Sequence, residues 1–168
     1  MELKDVLLNR RSIRKFTDKE ISDDIINELM IAAMSAPSAC NRQPWEFYIV
    51  RDEEVREKLR KSSLFTRKNG KVGIVVCGNL EKALPGEMAD YWIQDCSAAV
   101  QSILLRVTDL GLGAVWCGLY PQEKAVIRAK EALNLEDHII PIALIWLGYK
   151  DEELEPRTQY DESKIHYI

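Results

Sequence analysis

The sequence predicts a layered fold in which helices cover a central sheet. Segments with apolar residues at helical spacing alternate with short apolar runs, and at least four of these runs are strand candidates. The 168 residues are about the length of one ordinary domain, and no repeat, low-complexity tract or linker interrupts them. We therefore expect residues 1–168 to form a single domain of mixed helices and strands.

The first third of the chain predicts two helices, a strand and a third helix. Apolar residues recur at helical spacing over residues 2–9. The next helix is expected to begin after Ser22, an N-cap residue followed by two aspartates that favour the positive end of the helix dipole, and to end before Pro37. Residues 47–50 are a strand candidate, and residues 52–62 are predicted to be helical.

The middle of the chain predicts one buried strand and the longest helix. Residues 72–77 are continuously apolar, which is typical of a strand covered on both faces. Residues 88–110 carry an apolar residue every three or four positions, long enough for a central core helix or for a dimer seam. Gly111 follows, where the absence of a Cβ permits the left-handed cap conformation.

The last third predicts a strand, a helix and a further strand. Residues 114–117 and 139–147 are strand candidates, the second despite Pro141, and residues 122–133 are helical between them. The last 19 residues carry nine charges and little pattern. They predict an extended tail with at most one short strand.

Composition excludes several classes of protein. Hydrophobic residues make up 46% and charged residues 30%, as in soluble globular proteins, and no apolar stretch reaches the ~20 residues of a membrane helix. The net charge of −4 argues against a nucleic-acid partner. The four cysteines have no metal-ligand spacing, and with no signal peptide in view we expect a reduced, cytoplasmic protein.

Three arginines stand within five residues near the start of the chain. Arg10, Arg11 and Arg14 surround Ser12 just after the first predicted helix. Cations after a helix favour its negative end, which explains one arginine more easily than three. Guanidinium groups and a serine hydroxyl also match phosphate oxygens, and an anion among them would relieve their mutual repulsion. Spacing alone leaves both interpretations open.

A polar loop, residues 36–45, separates the second helix from the next strand. Ser38 and Asn41 offer side-chain donors and acceptors, and Gln43 precedes a proline and a tryptophan that lead into the strand. The loop either only stops the helix and makes a turn, or presents these groups to a planar ligand. Taken alone, it supports either interpretation.

The chain lacks an evident catalytic acid, base or nucleophile. Residues 111–118 hold three glycines without the spacing of a phosphate loop or dinucleotide fingerprint, and alone they indicate a helix cap and a strand turn. His138 is expected to be structural, and Asp90 and Asp95 to lie on a helix surface or contact a partner. If the protein is an enzyme, a cofactor is expected to carry the chemistry.

Taken together, four segments resemble the nitroreductase family of flavoproteins. They are residues 10–14, 36–45, 111–116 and 141–149, in the family's order and spacing. The resemblance covers most of the chain. It implies a three-layer α-β-α sandwich of the α+β class, an intertwined homodimer and FMN at the subunit interface.

The resemblance also implies the residues that bind FMN. Phosphate would be held by Arg10, Ser12 and Arg14, with Arg11 holding nearby polar groups and Arg157 arriving from the C-terminal segment. The partner subunit would approach the flavin with Pro37, Ser38, Ala39, Asn41 and Gln43. Beside the isoalloxazine ring stand Cys117 and Gly118, where many members carry a Gly-Glu pair. Residues 62–70 are rich in lysine and arginine and receive no role from the resemblance.

The activity implied is hydride transfer from NADH or NADPH, through flavin N5, to an electron-poor small molecule such as a nitroaromatic or a quinone. No protein group is expected to act as a catalytic residue. Two alternatives remain open: reduced-flavin chemistry on the same fold (dehalogenation or flavin fragmentation), and a flavin-binding protein without turnover.

Overall fold

The computed structural model describes all 168 residues, which form five α-helices and a four-stranded sheet. The helices are α1 (Leu3–Asn9), α2 (Asp23–Met34), α3 (Glu53–Arg60), α4 (Tyr91–Asp109) and α5 (Glu123–Leu133). The strands are β1 (Trp45–Val50), β2 (Val72–Asn79), β3 (Gly113–Gly118) and β4 (Ile139–Gly148). Short 3-10 turns span Ala39–Asn41, Gly86–Met88 and Glu162–Lys164.

The sheet is antiparallel throughout, with strand order β1-β2-β4-β3. Outside β3, Ser12 makes an isolated parallel bridge to Ala114, so the segment before α2 follows this edge. The opposite edge is β1, whose outer side has no neighbouring strand. The β3 edge is therefore covered by the segment around Ser12, whereas no strand pairs with the β1 edge.

Helices cover both faces of the sheet and make three layers. On one face α2 packs on α4, and on the other α3 packs on α5. Alternate residues of β2 enter the two cores: Ile74 and Val76 join the first, and Val75 and Cys77 the second. All four are fully buried, so the strand is covered on both faces, as its continuous apolar run predicts. The predicted α-β-α sandwich is confirmed.

Local sequence signals explain where α2 and α4 begin. The hydroxyl oxygen of Ser22 accepts a hydrogen bond from Ile25 N at 3.4 Å, the predicted N-cap of α2. Helix α4 begins at Tyr91 rather than at residue 88, because residues 86–88 form a separate 3-10 turn after Pro85.

Pro141 lies inside β4, where a missing backbone N–H would normally interrupt a ladder. The register shifts at this point, since Val76 faces Ala143 whereas Cys77 faces Pro141. The bulge leaves Ile142 as the extra residue, and a bulge is where a strand tolerates proline.

The chain after β4 has no strand of its own. Asp151 N donates to Lys15 O at 3.0 Å and Arg157 N donates to Leu8 O at 3.1 Å, and the remaining residues to 168 are exposed. The predicted extended tail is confirmed. No helix of the chain combines the length and apolar character that a membrane crossing requires.

Candidate functional site

The basic cluster predicted to hold phosphate lies along the outer edge of β3. Ile13 N donates to Ala114 O at 2.9 Å, which fixes this segment against the strand. Arg14 Nη1 donates to the neighbouring Ser12 carbonyl at 3.0 Å, and the Arg14 backbone N–H donates to the Glu152 carboxylate. That backbone hydrogen bond lowers the pKa of Glu152. The backbone therefore fixes the segment against β3, and each of the Arg11 and Arg14 side chains makes one hydrogen bond to a backbone carbonyl.

The C-terminal segment places the backbone of Arg157 beside the same cluster. Its backbone N–H bonds to Leu8 O, two residues before Arg10, and Arg11 Nη1 donates to the Glu155 carbonyl. None of the four arginines forms an ion pair with a carboxylate, and Arg10 and Arg157 donate no side-chain hydrogen bond. Although the charge of Arg14 also acts on the Glu152 carboxylate, arginines that no carboxylate pairs with are a candidate site for an anion.

The far end of β3 offers open space beside a glycine. Gly118 lies four residues beyond Ala114, about 13 Å along the strand. A Cβ placed at Gly118 would meet no atom within 4 Å, so a flat ligand could approach the backbone there. The cationic cluster and this open position thus lie along one strand, as an elongated ligand with one anionic end requires.

Cys117 is a buried thiol rather than a nucleophile. Its Sγ donates to the Phe65 carbonyl at 3.1 Å. Burial raises the pKa of Cys117 to about 11, although the positive charges of Lys68 and Arg14 act in the opposite direction. The thiol is therefore neutral near neutral pH, and a neutral thiol is a poor nucleophile.

Lys68 lies close enough to the candidate site for its charge to act there, although sequence reasoning assigned it no role. Its charge acts on the Cys117 thiol together with that of Arg14, and its side chain forms no ion pair. The signal in the sequence was the concentration of cations over residues 62–70, but spacing alone could not select one of them.

The second group of predicted residues forms a tight loop between α2 and β1. The Ser38 hydroxyl oxygen accepts from Gln43 N at 3.0 Å, and Asn41 N donates to the Ser38 carbonyl at 3.0 Å. Cys40, Asn41 and Gln43 have φ of 49°, 52° and 49°, three of the four non-glycine residues with positive φ in the chain. Left-handed conformations of such residues cost on the order of 1–3 kcal/mol each and cluster at functional sites. Pro37 and Ala39 flank this strained turn.

Asp95 of α4 supports this loop, and its expected place on a helix surface is wrong. The residue is only 6% exposed, and its Oδ1 accepts from Ala39 N at 2.9 Å. Asp95 lies three residues after the buried Trp92 and four before the buried Ala99, on the apolar stripe of α4. This helical spacing is the signal that could have identified it. Asp90, by contrast, is exposed as expected.

The structure brings the predicted residues together as two groups rather than one. The first contains the arginines, Ser12, Cys117 and Gly118 at β3, and the second is the loop from Pro37 to Gln43 beside β1. Since β2 and β4 lie between these edge strands, β1 and β3 are three strand spacings, about 14 Å, apart. No hydrogen bond joins them within the chain.

Comparison with known proteins identifies the family. The model of the nitroreductase family matches residues 7–71 and 68–149. A Methanothermobacter thermautotrophicus protein, named provisionally as an NADH dehydrogenase/NAD(P)H nitroreductase, is 40% identical over 170 residues, 99% of this chain and 86% of that protein. The chain therefore belongs to the nitroreductase family, as its four segments predict.

Solved structures agree with the fold. A crystal structure from Parabacteroides distasonis with the same provisional name superposes with a TM-score of 0.93 at 36% identity, covering 99% of this chain and 98% of the other. An FMN-dependent nitroreductase from Clostridium difficile superposes with a TM-score of 0.87 at 31% identity, covering 96% of each chain.

Proposed function

We propose that this protein is an FMN-dependent oxidoreductase that passes hydride from NADH or NADPH, through flavin N5, to an electron-poor acceptor such as a nitroaromatic or a quinone. The observation that carries the proposal is the cluster of arginines without an ion-pair partner beside the strand that ends at Gly118. When bound, FMN supplies the hydride-accepting and hydride-donating chemistry that no side chain of this chain offers.

The residues present fit this cofactor. Arg10, Ser12, Arg14 and Arg157 would hold the phosphate, with Arg11 joining the C-terminal segment to the cluster. Each charge-assisted hydrogen bond to phosphate contributes ~1.5–3 kcal/mol. Gly118 leaves room for the ring, and Cys117 closes the wall behind it.

Charge near the ring follows from the same geometry. Lys68 and Arg14 place positive charge near Cys117, at the end of β3 where the ring would lie. Such fixed charges favour the electron-rich form of the ligand and orient it before reaction. The protein thus binds the flavin, orients it and stabilises its electron-rich form, and these roles require no acid or base from a side chain.

The second group of residues is proposed to serve the flavin of a partner subunit in an intertwined homodimer. The loop from Pro37 to Gln43 leads into β1, at the edge of the sheet opposite to the basic cluster beside β3, and these two edge strands are three strand spacings, about 14 Å, apart. A second copy can bring this strained loop to the open space at Gly118.

The tail also supports a dimer. Tyr160 and Tyr167 are 71% and 93% exposed, and Ile165 is exposed too. Exposed apolar side chains on an extended segment, together with the uncovered edge of β1, mark surfaces that another chain covers. Removing residues 158–168 should therefore give a monomer that does not retain FMN. Full-length protein that elutes as a flavin-loaded monomer would contradict the dimer.

The proposal includes a single domain and a cytoplasmic location. The two core clusters lie on opposite faces of one sheet, so neither half of the chain keeps its core without the other. All four cysteines are free thiols, as in a reducing compartment.

An absorption spectrum tests the cofactor. Purified protein should be yellow or become so with FMN, and anaerobic NADH or NADPH should bleach it. Protein that stays colourless after FMN is added would refute the proposal. Steady-state NAD(P)H oxidation above the rate of free FMN distinguishes an enzyme from a flavin-binding protein without turnover, and product analysis with a nitroaromatic or quinone distinguishes it from dehalogenation or flavin fragmentation.

A further inference from the structure

A basic surface lies between the end of α3 and the first half of α5. It is formed by Lys58, Lys61, Arg67, Lys68, Lys124 and Arg128. Two open cavities of about 560 and 380 Å³ lie on this basic surface, and the carboxylates that line them are Glu57 and Glu123. In a chain whose net charge is −4, this is a local concentration of positive charge.

Several of these cations have no partner. Arg67 and Lys124 are exposed and form no ion pair or side-chain hydrogen bond, whereas Lys61 pairs with Glu57 at 3.1 Å. Cations on one surface repel one another, and an anion among them relieves this repulsion. Arg67 and Lys124 therefore remain available to an anion although other cations of the basic surface are paired.

The start of α5 adds backbone donors to the smaller cavity. The helix has 11 residues, and Gln122 makes no side-chain cap, so the N–H groups of Glu123 and Lys124 have no partner. Ser62, in the wall of this cavity, is 1% exposed and its hydroxyl has no hydrogen-bond partner. Free N–H groups at a helix N-terminus bind phosphate, and an unpaired buried hydroxyl is rare enough to need a ligand or other cause.

The basic surface adjoins the proposed ring position and is held firmly. Phe65 O accepts from Cys117 Sγ at 3.1 Å, and the indole N–H of Trp146 donates to Thr66 O at 2.8 Å. From Gly118 the chain reaches α5 after four residues. A nicotinamide stacked on a ring at Gly118 could therefore extend its adenosine half over these cations.

We propose that the basic surface binds the 2′-phosphate of NADPH, so that the protein prefers NADPH to NADH as reductant. The inference rests on the proposed function, because the nicotinamide must reach the flavin. A 2′-phosphate is a multiply charged oxyanion, which suits the ammonium group of Lys124, the Ser62 hydroxyl and the free N–H groups of α5 in the smaller cavity, while Arg67 adds the positive charge of the larger cavity on the same basic surface. NADH lacks this group and leaves the cations unpaired.

Steady-state kinetics with both reductants tests the preference. In FMN-loaded protein, Arg67→Ala and Lys124→Ala should each lower kcat/KM for NADPH by about tenfold, as the loss of about 1.4 kcal/mol does, and change that for NADH by less than about twofold. Lys4→Ala is the matched control, since it removes the same charge from α1, which packs on α4 across the sheet. It should change neither value.

A binding measurement tests the basic surface without turnover. Calorimetry should show that 2′,5′-ADP binds more tightly than 5′-AMP, and that Arg67→Ala or Lys124→Ala removes the difference. Equal binding of the two nucleotides, or equal kcat/KM for NADH and NADPH in the unmodified protein, overturns the inference but leaves the proposed function intact. Flavin-loaded protein that oxidises neither reductant overturns the proposed function, and the calorimetry then still decides whether the basic surface recognises a 2′-phosphate.

Discussion

Replacing Asp95 by alanine tests whether a buried carboxylate holds the loop that is proposed to serve the partner's flavin. Asp95 is 6% exposed and accepts one backbone hydrogen bond, from Ala39 N at 2.9 Å. A hydrogen bond to a charged group contributes ~1.5–3 kcal/mol, which is comparable with the ~1–3 kcal/mol that one left-handed residue costs. Without this bond, the loop loses one of the few contacts that offset the strain at Cys40, Asn41 and Gln43.

The Asp95→Ala variant should therefore lose about 2 kcal/mol of unfolding free energy, measured by denaturant at fixed protein concentration. Its dissociation constant for FMN should rise by about 10- to 150-fold, because a loop that no longer holds its shape binds the ring more weakly. Fluorescence titration of FMN measures the second effect.

Asp90 of the same chain is the matched control. It precedes α4, is exposed and makes no side-chain cap, so Asp90→Ala should change the unfolding free energy by less than ~0.5 kcal/mol. If Asp95→Ala behaves like Asp90→Ala in both measurements, the carboxylate does not support the loop and the reasoning is wrong. A loss of stability with unchanged FMN affinity would separate the loop from the flavin site.

Three further predictions concern the strand β3 and its basic cluster. Arg10→Ala and Arg14→Ala should each weaken FMN binding by ~1.5–3 kcal/mol in a fluorescence titration, and unchanged affinity in both would place the phosphate elsewhere. Gly118→Val should leave the unfolding free energy of the apoprotein within ~1 kcal/mol, since its Cβ meets nothing within 4 Å, but should lower FMN affinity at least about tenfold. Because the pKa of Cys117 is raised from 9.0 to about 11, its contribution to stability should be present below pH 9 and decline as pH rises towards 11. Burial raises the pKa of Cys77 and Cys96 too, so denaturant unfolding of Cys117→Ala across this range should show a shallower decline than the unmodified protein, and an equal decline would contradict the prediction.

The sheet and its covering helices could be predicted because the pattern of apolar and polar residues along a short segment shows which of its faces are buried. The run from Val72 to Cys77 alternates between two cores, so every position is apolar and the pattern identifies a strand without knowledge of its partners. Pro141 could have argued against β4, but the bulge beside it removes the need for its N–H. Strand order, in contrast, depends on contacts between distant segments and follows from no local pattern.

The candidate site could be predicted only in part, for a physical reason. Arg10 and Arg14 belong to one short segment, so their charges stand out in the sequence. The environment of Asp95 depends on a loop 56 residues away, and Lys68, in the loop before β2, lies near Cys117 of the distant strand β3. Burial and charge at such positions are produced by tertiary packing. Even so, the spacing of Asp95 within the apolar stripe of α4 indicates a buried carboxylate, and a buried carboxylate requires a hydrogen-bond donor.

Four features of the isolated chain are energetically unfavourable, and the proposed assembly would relieve each of them. The arginines beside β3 have no ion-pair partner, and the loop from Cys40 to Gln43 has a strained backbone. The tail exposes aromatic side chains, and Arg67 of the basic surface has no anion. Natural sequences keep such unfavourable features mainly where function compensates for the cost. A phosphate at β3, a partner's flavin at the loop, a partner subunit along the tail and a 2′-phosphate at Arg67 would each supply what the isolated chain lacks. Because the four features are separate in the fold, a failure of any one test leaves the other three to be judged on their own measurements.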